Sequence, residues 1–216
     1  MIVDERLVTY INSLDTGNTS ILDQIEQEAL DSYVPIIRKE MQQFLKLLLA
    51  MKRPMRILEV GTAVGFSAIL MAEYDPVPCE ITTIENYEKR IPIAKENFIR
   101  AGKEKQITLL EGDAAQLLPT LTESYDFIFM DAAKGQYIHF MPDILRLLGP
   151  EGTLVSDNVL QDGDIIESHF AVTRRNRTIH KRMREYLYEL THDGTWVLGN
   201  CVIYFILIYL PLIEGG

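Results

Sequence analysis

Cysteine is scarce in this sequence: Cys79 and Cys201 are the only two among 216 residues. Two cysteines so far apart form neither a disulfide framework nor a zinc cluster, which indicates a reduced, cytoplasmic setting. A long apolar segment is also missing, because the longest run, residues 201–213, is shorter than the ~20 residues of a membrane-spanning helix. We interpret that run as buried strand and expect no membrane contact. The N-terminal residues carry early charges and no long apolar core, which argues against a signal peptide.

Positive charge is in deficit as well. The 21 Lys and Arg residues are outnumbered by 31 Asp and Glu residues, which gives a net charge of −10. Such a protein is not a general nucleic-acid coat, because phosphate binding needs positive charge, although one local basic patch is compatible with it. Apolar residues make up 47% and charged residues 24%, values that exclude a disordered or low-complexity chain.

Hydrophobic periodicity predicts three N-terminal helices, at residues 4–15, 20–31 and 35–51. Ser20 is a favourable N-cap for the second helix, and Pro35 suits the first turn of the third. The buried face of the third helix is predicted from apolar residues at helical spacing: Ile37, Met41, Phe44, Leu48 and Met51. We interpret residues 1–53 as a helical cap within a single domain.

After Pro54 the pattern changes to short apolar runs that alternate with helical segments. The predicted strands are residues 56–60, 80–84, 106–110, 127–130 and 153–156. The predicted helices between them are residues 65–74, 87–101, 114–121 and 135–148. This alternation predicts an α/β fold over residues 54–216, with a mostly parallel sheet flanked by helices. A last helix near 173–190 precedes two further apolar runs, near 195–199 and 201–210.

Glu59, Gly61 and Gly65 form an E-x-G-x-x-x-G pattern where the first strand passes into a helix. Ligands of doubly wound sheets lie at the carboxyl ends of strands, and glycine lets the backbone approach them. The G-x-G-x-x-G fingerprint of dinucleotide-binding proteins is absent, which disfavours a dehydrogenase. The pattern indicates a ligand-binding loop, and the alternative is an ordinary glycine turn.

Acidic residues follow the next two strands. Glu85 lies about 20 residues after the glycine loop, where a carboxylate is the expected acceptor for the two ribose hydroxyls. Asp113 follows the third strand and is a candidate contact for an adenine amino group. Each acid alone could instead cap a helix or face solvent, but behind a glycine loop they indicate a nucleoside site.

Oxygen-bearing side chains also follow the fourth and fifth strands: Asp131, Asp157 and Asn158. Neighbouring strand ends in a parallel sheet lie close together, so these oxygens can converge. Two carboxylates and an amide, with no Cys or His nearby in sequence, suit Mg²⁺, Mn²⁺ or Ca²⁺ rather than zinc. The alternative is that Asp157 and Asn158 only cap a loop.

Four segments carry a resemblance to a known family: VPII at 34–37, LEVGTAVGFSA at 58–68, DAAKGQY at 131–137 and SDNVL at 156–160. Through them the chain, up to about residue 190, resembles the S-adenosylmethionine-dependent methyltransferases of Rossmann-like fold. It is more similar to the metal-dependent O-methyltransferases of the caffeoyl-CoA and catechol type. Within these it looks most like the bacterial branch that methylates 5-hydroxyuridine in tRNA.

The resemblance implies a set of site residues. The implied S-adenosylmethionine ligands are Ile37, Glu59, Gly61, Thr62, Ser67, Glu85, Asp113, Ala114 and Asp131. A divalent metal is implied at Asp131, Asp157 and Asn158, where it would lower the pKa of the acceptor hydroxyl and orient two vicinal oxygens. Lys134, with Asp131, is implied as the catalytic residue, either as general base or as charge stabiliser. The resemblance also implies a homodimer.

A basic stretch between Val172 and Arg184 contrasts with the acidic chain. It contains six cations and no acid: Arg174, Arg175, Arg177, Lys181, Arg182 and Arg184. Helical spacing places four of them on one face, and the predicted buried face holds Ile179, Met183, Leu187 and Leu190. A cationic stripe suits an RNA phosphate backbone, whereas the alternative is a solvated helix face.

The expected acceptor is the wobble 5-hydroxyuridine of a tRNA anticodon loop. Its O5 and C4 carbonyl oxygens form a vicinal pair much like a catechol, so one metal site can chelate either. A small catechol or hydroxycinnamoyl thioester is the alternative acceptor. A nucleotide-binding module without catalysis is a third hypothesis, which the combination of Lys134 with the three oxygen ligands disfavours.

Two features depart from the family. Ala133 stands where plant relatives carry a second acid beside the metal. The apolar C-terminal residues 196–216 stand where relatives have a Gly-Asp-Gly loop and a more polar strand. A natural variant and a shifted reading frame both fit this second departure.

Overall fold

The computed structural model describes residues 5–192, 197–201 and 205–209. These residues group into two units, Glu5–Leu117 and the residues from Leu118 onward. Within the described ranges, no helix is long and apolar enough to cross a membrane.

The first unit begins with three helices and continues with alternating strands and helices. Its helices are α1 (Glu5–Ser13), α2 (Ser20–Asp31), α3 (Lys39–Lys52), α4 (Phe66–Tyr74), α5 (Ile91–Arg100) and the single turn α6 (Ala114–Leu117). Its strands are β1 (Arg56–Val60), β2 (Glu80–Glu85) and β3 (Ile107–Glu111), parallel in the order β3-β2-β1. The predicted strands of this unit are confirmed to within one residue. Because Glu85 pairs with Glu111, the carboxyl ends of β2 and β3 lie side by side.

Helix α3 begins later than predicted. Arg38 is its N-cap, with an extended backbone (φ −66°, ψ 158°), so the prediction of a helix starting at Pro35 is wrong. The residue before a proline is driven toward extended backbone, which favours a loop here. The Gln42 side chain donates to the Ile37 carbonyl (3.1 Å) and holds the loop in place of a helical turn.

The buried face of α3 also differs from the prediction. Met41 and Leu48 are buried as expected, but Met51 is 69% exposed. Leu45 and Leu49 are fully buried instead. Three consecutive leucines give this helix apolar side chains on more than one face, so spacing alone does not determine its orientation.

The second unit contains four strands among the described residues. They are β4 (Tyr125–Met130), β5 (Leu148–Ser156), β6 (Val197–Cys201) and β7 (Phe205–Tyr209), in the order β4-β5-β7-β6. β4 and β5 are parallel, whereas β7 is antiparallel to both β5 and β6. The helices are α7 (Tyr137–Leu147), α8 (Arg177–His192) and 3₁₀ turns at Leu118–Thr120, Lys134–Gln136 and Gln161–Ile166.

The boundaries in this unit agree less closely with the sequence. β5 begins five residues before its predicted start at residue 153. The apolar C-terminal run forms strand, as predicted, over Phe205–Tyr209, which pairs with β5. The remainder of that run, at 202–204 and 210–216, lies outside the described residues.

Helix α8 buries a different set of side chains from the predicted one. The buried residues are His180, Met183, Tyr186 and Leu190, whereas Ile179 and Leu187 are partly exposed. The two polar members can be buried because each has a partner. The Tyr186 hydroxyl bonds the Ser156 hydroxyl (2.6 Å), and His180 Nε2 bonds the Glu167 carbonyl (3.1 Å). Hydrophobic periodicity cannot anticipate such partners.

Candidate active site

The glycine loop after β1 has an unusual backbone. Gly61, Ala63 and Gly65 all have positive φ, at 108°, 48° and 84°. A Cβ on Gly65 would lie 2.5 Å from the Phe98 ring of α5, so this glycine is required by helix packing. Packing and backbone conformation are enough to require this glycine, and close approach of a ligand to it stays a prediction. Asn97, next to Phe98, donates to the Val64 carbonyl (2.9 Å) and fixes the loop from the same helix.

Glu59 is fully buried and is the centre of a hydrogen-bond network. Ser67 and Thr83 donate to its two carboxylate oxygens, each at 2.5 Å. The Thr62 hydroxyl in turn bonds the Thr83 hydroxyl (2.5 Å). A buried carboxylate is tolerated only when it is hydrogen-bonded in this way. Three predicted cofactor ligands, Glu59, Thr62 and Ser67, thus lie together, and the structure adds Thr83, which the sequence pattern did not single out.

The Glu85 carboxylate at the end of β2 accepts three backbone N–H groups. They come from Ala63 (2.7 Å), Asn86 (3.0 Å) and Tyr87 (2.9 Å). A carboxylate has about four lone-pair sites, so acceptor capacity remains for a ligand hydroxyl. Glu85 therefore joins the glycine loop to the end of β2.

The remaining predicted cofactor residues of this unit are less distinctive. The exposed Asp113 accepts the Ala115 N–H (2.9 Å) at the start of α6, as a helix-capping residue does. Ala114 is half-buried beside it. Ile37 is buried, and its carbonyl already accepts the Gln42 amide.

In the second unit, the end of β4 carries an ion pair. Lys134 Nζ lies 2.7 Å from Asp131 Oδ1 and 3.0 Å from the Tyr137 hydroxyl. Asp131 was predicted to contact both cofactor and metal, and its side chain is partly exposed. The Tyr137 side chain, at the end of the DAAKGQY segment, is fully buried, which the sequence pattern did not predict.

Burial raises the pKa of Tyr137 well above its ordinary value, and the negative charges of Asp131 and Asp157 raise it further. The hydroxyl is therefore neutral at physiological pH. It donates to the Met130 carbonyl (2.8 Å), and it can do so throughout the range in which enzymes work.

Asp157 and Asn158 follow β5, directly next to the end of β4. Met130 pairs with Ser156, and the Asp157 N–H donates to the Met130 carbonyl (3.0 Å). Asn158 has a left-handed backbone (φ 53°), and its side-chain oxygen is buried without a hydrogen-bond partner among the described residues. A buried acceptor of this kind normally has a partner, so the site suits an oxygen-binding cation. Within the described ranges no three His, Cys, Asp or Glu side chains gather as a metal cluster, so the predicted set depends on this amide.

The predicted cationic stripe is partly used within the fold. Three of its arginines donate to backbone carbonyls: Arg177 to Val172 (3.3 Å) and Phe170 (3.4 Å), Arg182 to Gly135 (3.1 Å), and Arg184 to Ile165 (2.9 Å). Arg174 and Arg175 are exposed but precede α8, and Lys181 lies 3.5 Å from Glu185. The expectation of a helical stripe beginning at Arg174 is therefore wrong.

A cavity of about 410 Å³ opens on this helix. Its lining residues are His169, Arg177, Thr178, Lys181, Arg182 and Glu185. Three cations and one carboxylate make it a net positive site. Arg182 also connects it to the turn that carries Lys134, through the bond to Gly135.

Residues 12–193 match the model of a family described as O-methyltransferase. A catechol O-methyltransferase from Niastella koreensis is 36% identical over 131 residues, which are 59% of each chain. A catechol O-methyltransferase from Mycobacterium tuberculosis is 33% identical over 136 residues, 62% of each chain. The matched part of this chain therefore spans only about three fifths of these relatives.

Solved structures share the fold over almost the whole chain. The crystal structure of the O-methyltransferase from Bacillus cereus in complex with SAH covers 94% of this chain and 96% of its own, with a TM-score of 0.80 at 24% identity. The likeness confirms the predicted Rossmann-like α/β fold.

Proposed function

The chain belongs to the O-methyltransferase family, and on that premise we propose that it transfers a methyl group from S-adenosylmethionine to one hydroxyl of a small catechol-like phenol. The observation that carries the proposal is the group at the ends of β4 and β5. There the Asp131–Lys134 ion pair follows β4, and Asn158, whose buried oxygen lacks a partner among the described residues, follows the adjacent strand β5. Two relatives named for catechol support this choice of acceptor.

We assign the donor to the first unit. Backbone N–H groups hold the Glu85 carboxylate in place, and its remaining acceptor capacity can take one ribose hydroxyl. The hydrogen bonds of Glu59 set the conformation of the glycine loop. Asp113, which follows β3, is assigned to contact the adenine amino group. Each of these groups is ordered by internal hydrogen bonds, which lowers the entropic cost of binding.

Asp131, Asp157 and Asn158 fit a divalent metal through their chemistry. Their donors are hard oxygens, which suit Mg²⁺, Mn²⁺ or Ca²⁺, and the amide oxygen of Asn158 would gain the partner that it lacks among the described residues. When bound, such a metal supplies Lewis-acid chemistry that lowers the pKa of an acceptor hydroxyl.

Lys134 is the proposed catalytic residue. An acceptor oxygen attacks the methyl carbon, the carbon–sulfur bond breaks, and S-adenosylhomocysteine leaves. Lys134 either takes the proton of the acceptor hydroxyl or stabilises the resulting anion as an ammonium. Lys134→Arg separates these roles, because arginine keeps the charge but cannot act as a base.

The metal assignment is tested with Asp157→Ala. We expect turnover of a catechol to fall at least about 100-fold, because the acceptor loses its Lewis acid. Affinity for S-adenosylmethionine, measured by calorimetry, stays within about two-fold, since the donor is held elsewhere. Asp143→Ala, which removes a carboxylate paired with Arg146 on α7, is the matched control and keeps full turnover. Undiminished activity in excess chelator contradicts the assignment.

A tRNA wobble 5-hydroxyuridine is the second candidate acceptor, and the positive cavity on α8 is the observation that favours it. Phosphate contacts make binding salt-dependent, with a slope of about −0.7 per single-strand phosphate neutralised. The proposal is that Arg175 and Lys181, which are exposed, contact RNA together with the other cations of this stretch.

Turnover of catechols and of tRNA lacking the methyl group decides between the two acceptors. If RNA is the acceptor, Arg175→Glu with Lys181→Glu raises the KM for tRNA and leaves catechol turnover unchanged. The exposed Lys105→Glu in the first unit controls for net charge. If catechols are turned over fast and tRNA is not methylated, only the small-molecule acceptor remains supported.

A further inference from the structure

The tyrosine that closes the DAAKGQY segment has no role in the function proposed above. Tyr137 is the first residue of α7, and its side chain is fully buried. Its hydroxyl donates to the Met130 carbonyl (2.8 Å), lies 3.3 Å from the Asp157 carbonyl and accepts from Lys134 Nζ (3.0 Å). One hydroxyl therefore meets the ends of both strands and the candidate catalytic amine.

The strand end itself does not need this hydroxyl. The Met130 carbonyl also accepts the Asp157 N–H (3.0 Å), so it keeps a partner without Tyr137. Lys134, by contrast, depends on this hydroxyl. Among the described residues its amine has two acceptors, and Tyr137 supplies one of them while Asp131 supplies the other. A lysine side chain is long and flexible, and two acceptors confine its amine far better than one.

The Tyr137 ring is itself held rigidly. The Tyr186 ring of α8 packs edge-on against it, with centroids 5.5 Å apart and planes at 75°. That ring contact does not involve the Tyr186 hydroxyl, which bonds Ser156 of β5, so a phenylalanine at 186 would keep it. The ring contact and the bonds of the Tyr137 hydroxyl to the Met130 and Asp157 carbonyls fix that hydroxyl relative to both strands.

We propose that Tyr137 is a positioning residue for methyl transfer, whose hydroxyl holds Lys134 beside Asp131 at the end of β4. The inference rests on the role of Lys134 in the proposed function. Tyr137 acts through Lys134 and makes no contact with substrate.

Tyr137→Phe removes only the hydroxyl, and Tyr186→Phe is its matched control. Both are fully buried tyrosines of the same unit, but the Tyr186 hydroxyl bonds Ser156 and not Lys134. We expect Tyr137→Phe to lower kcat about 10- to 100-fold, as loss of a supporting hydrogen bond does. The KM for S-adenosylmethionine changes less than about two-fold. Tyr186→Phe lowers the melting temperature but leaves kcat unchanged.

A double-mutant cycle tests whether Tyr137 acts through Lys134. In a Lys134→Met background, Tyr137→Phe produces no further loss, because the group that it positions is gone. An equal loss in both backgrounds overturns the inference. If Lys134→Met loses turnover while Tyr137→Phe keeps it, the inference fails and the proposed function stands. If Lys134→Met keeps wild-type turnover, the assignment of Lys134 fails, and the inference fails with it.

A chemical-labelling experiment tests the same inference without measuring enzyme activity. Acetylation of Lys134 by an activated ester, followed by peptide mass spectrometry, reports how firmly the amine is held in the protein free of metal and cofactor. We expect the rate to rise several-fold in Tyr137→Phe and to stay unchanged in Tyr186→Phe. Equal rates in both variants and the wild type overturn the inference.

Discussion

The Glu85 carboxylate collects three N–H groups that come from both sides of it in sequence, one from the glycine loop and two from the residues that follow it. Glu59 does the same with two hydroxyls from β2 and α4. At the scale of the residue, both acids first order the surrounding chain. Under the proposed function, this order favours cofactor binding, since a preformed site loses less entropy when its ligand binds.

Glu85→Gln tests the ribose assignment. The amide keeps the side-chain shape but replaces one acceptor oxygen with a donor that faces another N–H group. We expect S-adenosylmethionine affinity to fall by about 1.5–3 kcal/mol, or roughly 10- to 100-fold, as measured by calorimetry. Glu111→Gln is the control, because Glu111 ends β3 in register with Glu85 and pairs with Lys95 at an exposed position. The same affinity in both variants contradicts the assignment.

Several residues of the candidate site could be found in the sequence because acids at strand ends follow a known topological rule. Thr83, Asn97 and Tyr137 could not. Asn97 reaches a carbonyl 33 residues away, and Thr83 reaches a carboxylate 24 residues away. Partners that tertiary packing supplies leave no local pattern, so only the folded chain identifies them.

At the scale of the element, the glycine loop is set by α5. Phe98 occupies the space of any Gly65 side chain, and Asn97 bonds the Val64 carbonyl. Arg100, one turn later, bonds both Asn97 (2.9 Å) and Glu28 of α2 (2.7 Å). One helix thus connects the candidate cofactor loop to the N-terminal helices.

Gly65→Ala should destabilise the protein by more than backbone strain alone. A left-handed residue costs about 1–2 kcal/mol, and overpacking adds about 1–3 kcal/mol. Gly102→Ala is the control, since Gly102 also has positive φ (64°) but would place its Cβ in open space. Denaturant unfolding of the two variants isolates the clash with Phe98. Equal losses of unfolding free energy would show that no clash exists.

The elements differed in how well the sequence predicted them. The strands β1, β2 and β3 are confirmed because short runs rich in apolar and β-branched residues, bounded by polar turns, are typical of strands. The predicted buried faces of α3 and α8 were wrong in part, for different reasons. α3 has too many leucines to select one face, and α8 buries a histidine and a tyrosine whose polar atoms are satisfied.

For the whole molecule, we expect a homodimer. Helix α1 exposes three large apolar side chains, Leu7, Tyr10 and Ile11, and Leu14 directly after it is exposed as well. Exposed apolar surface of this kind marks an interface. Light scattering at micromolar concentration should give twice the mass of one chain. Charged substitutions at Leu7 and Ile11 should shift the protein to the monomer, whereas a wild type that is already monomeric contradicts the expectation.

Helix α8 and the segment 164–172 form a short closed loop of the chain. Four hydrogen bonds join them, and each spans 19 residues or fewer. Contacts so close in sequence cost little closure entropy, so segment 164–172 can leave α8 and return without unfolding the sheet. In native-state hydrogen exchange it would behave as a separate foldon. The local opening free energy of that foldon, rather than global stability, sets how long the segment after Asn158 stays ordered.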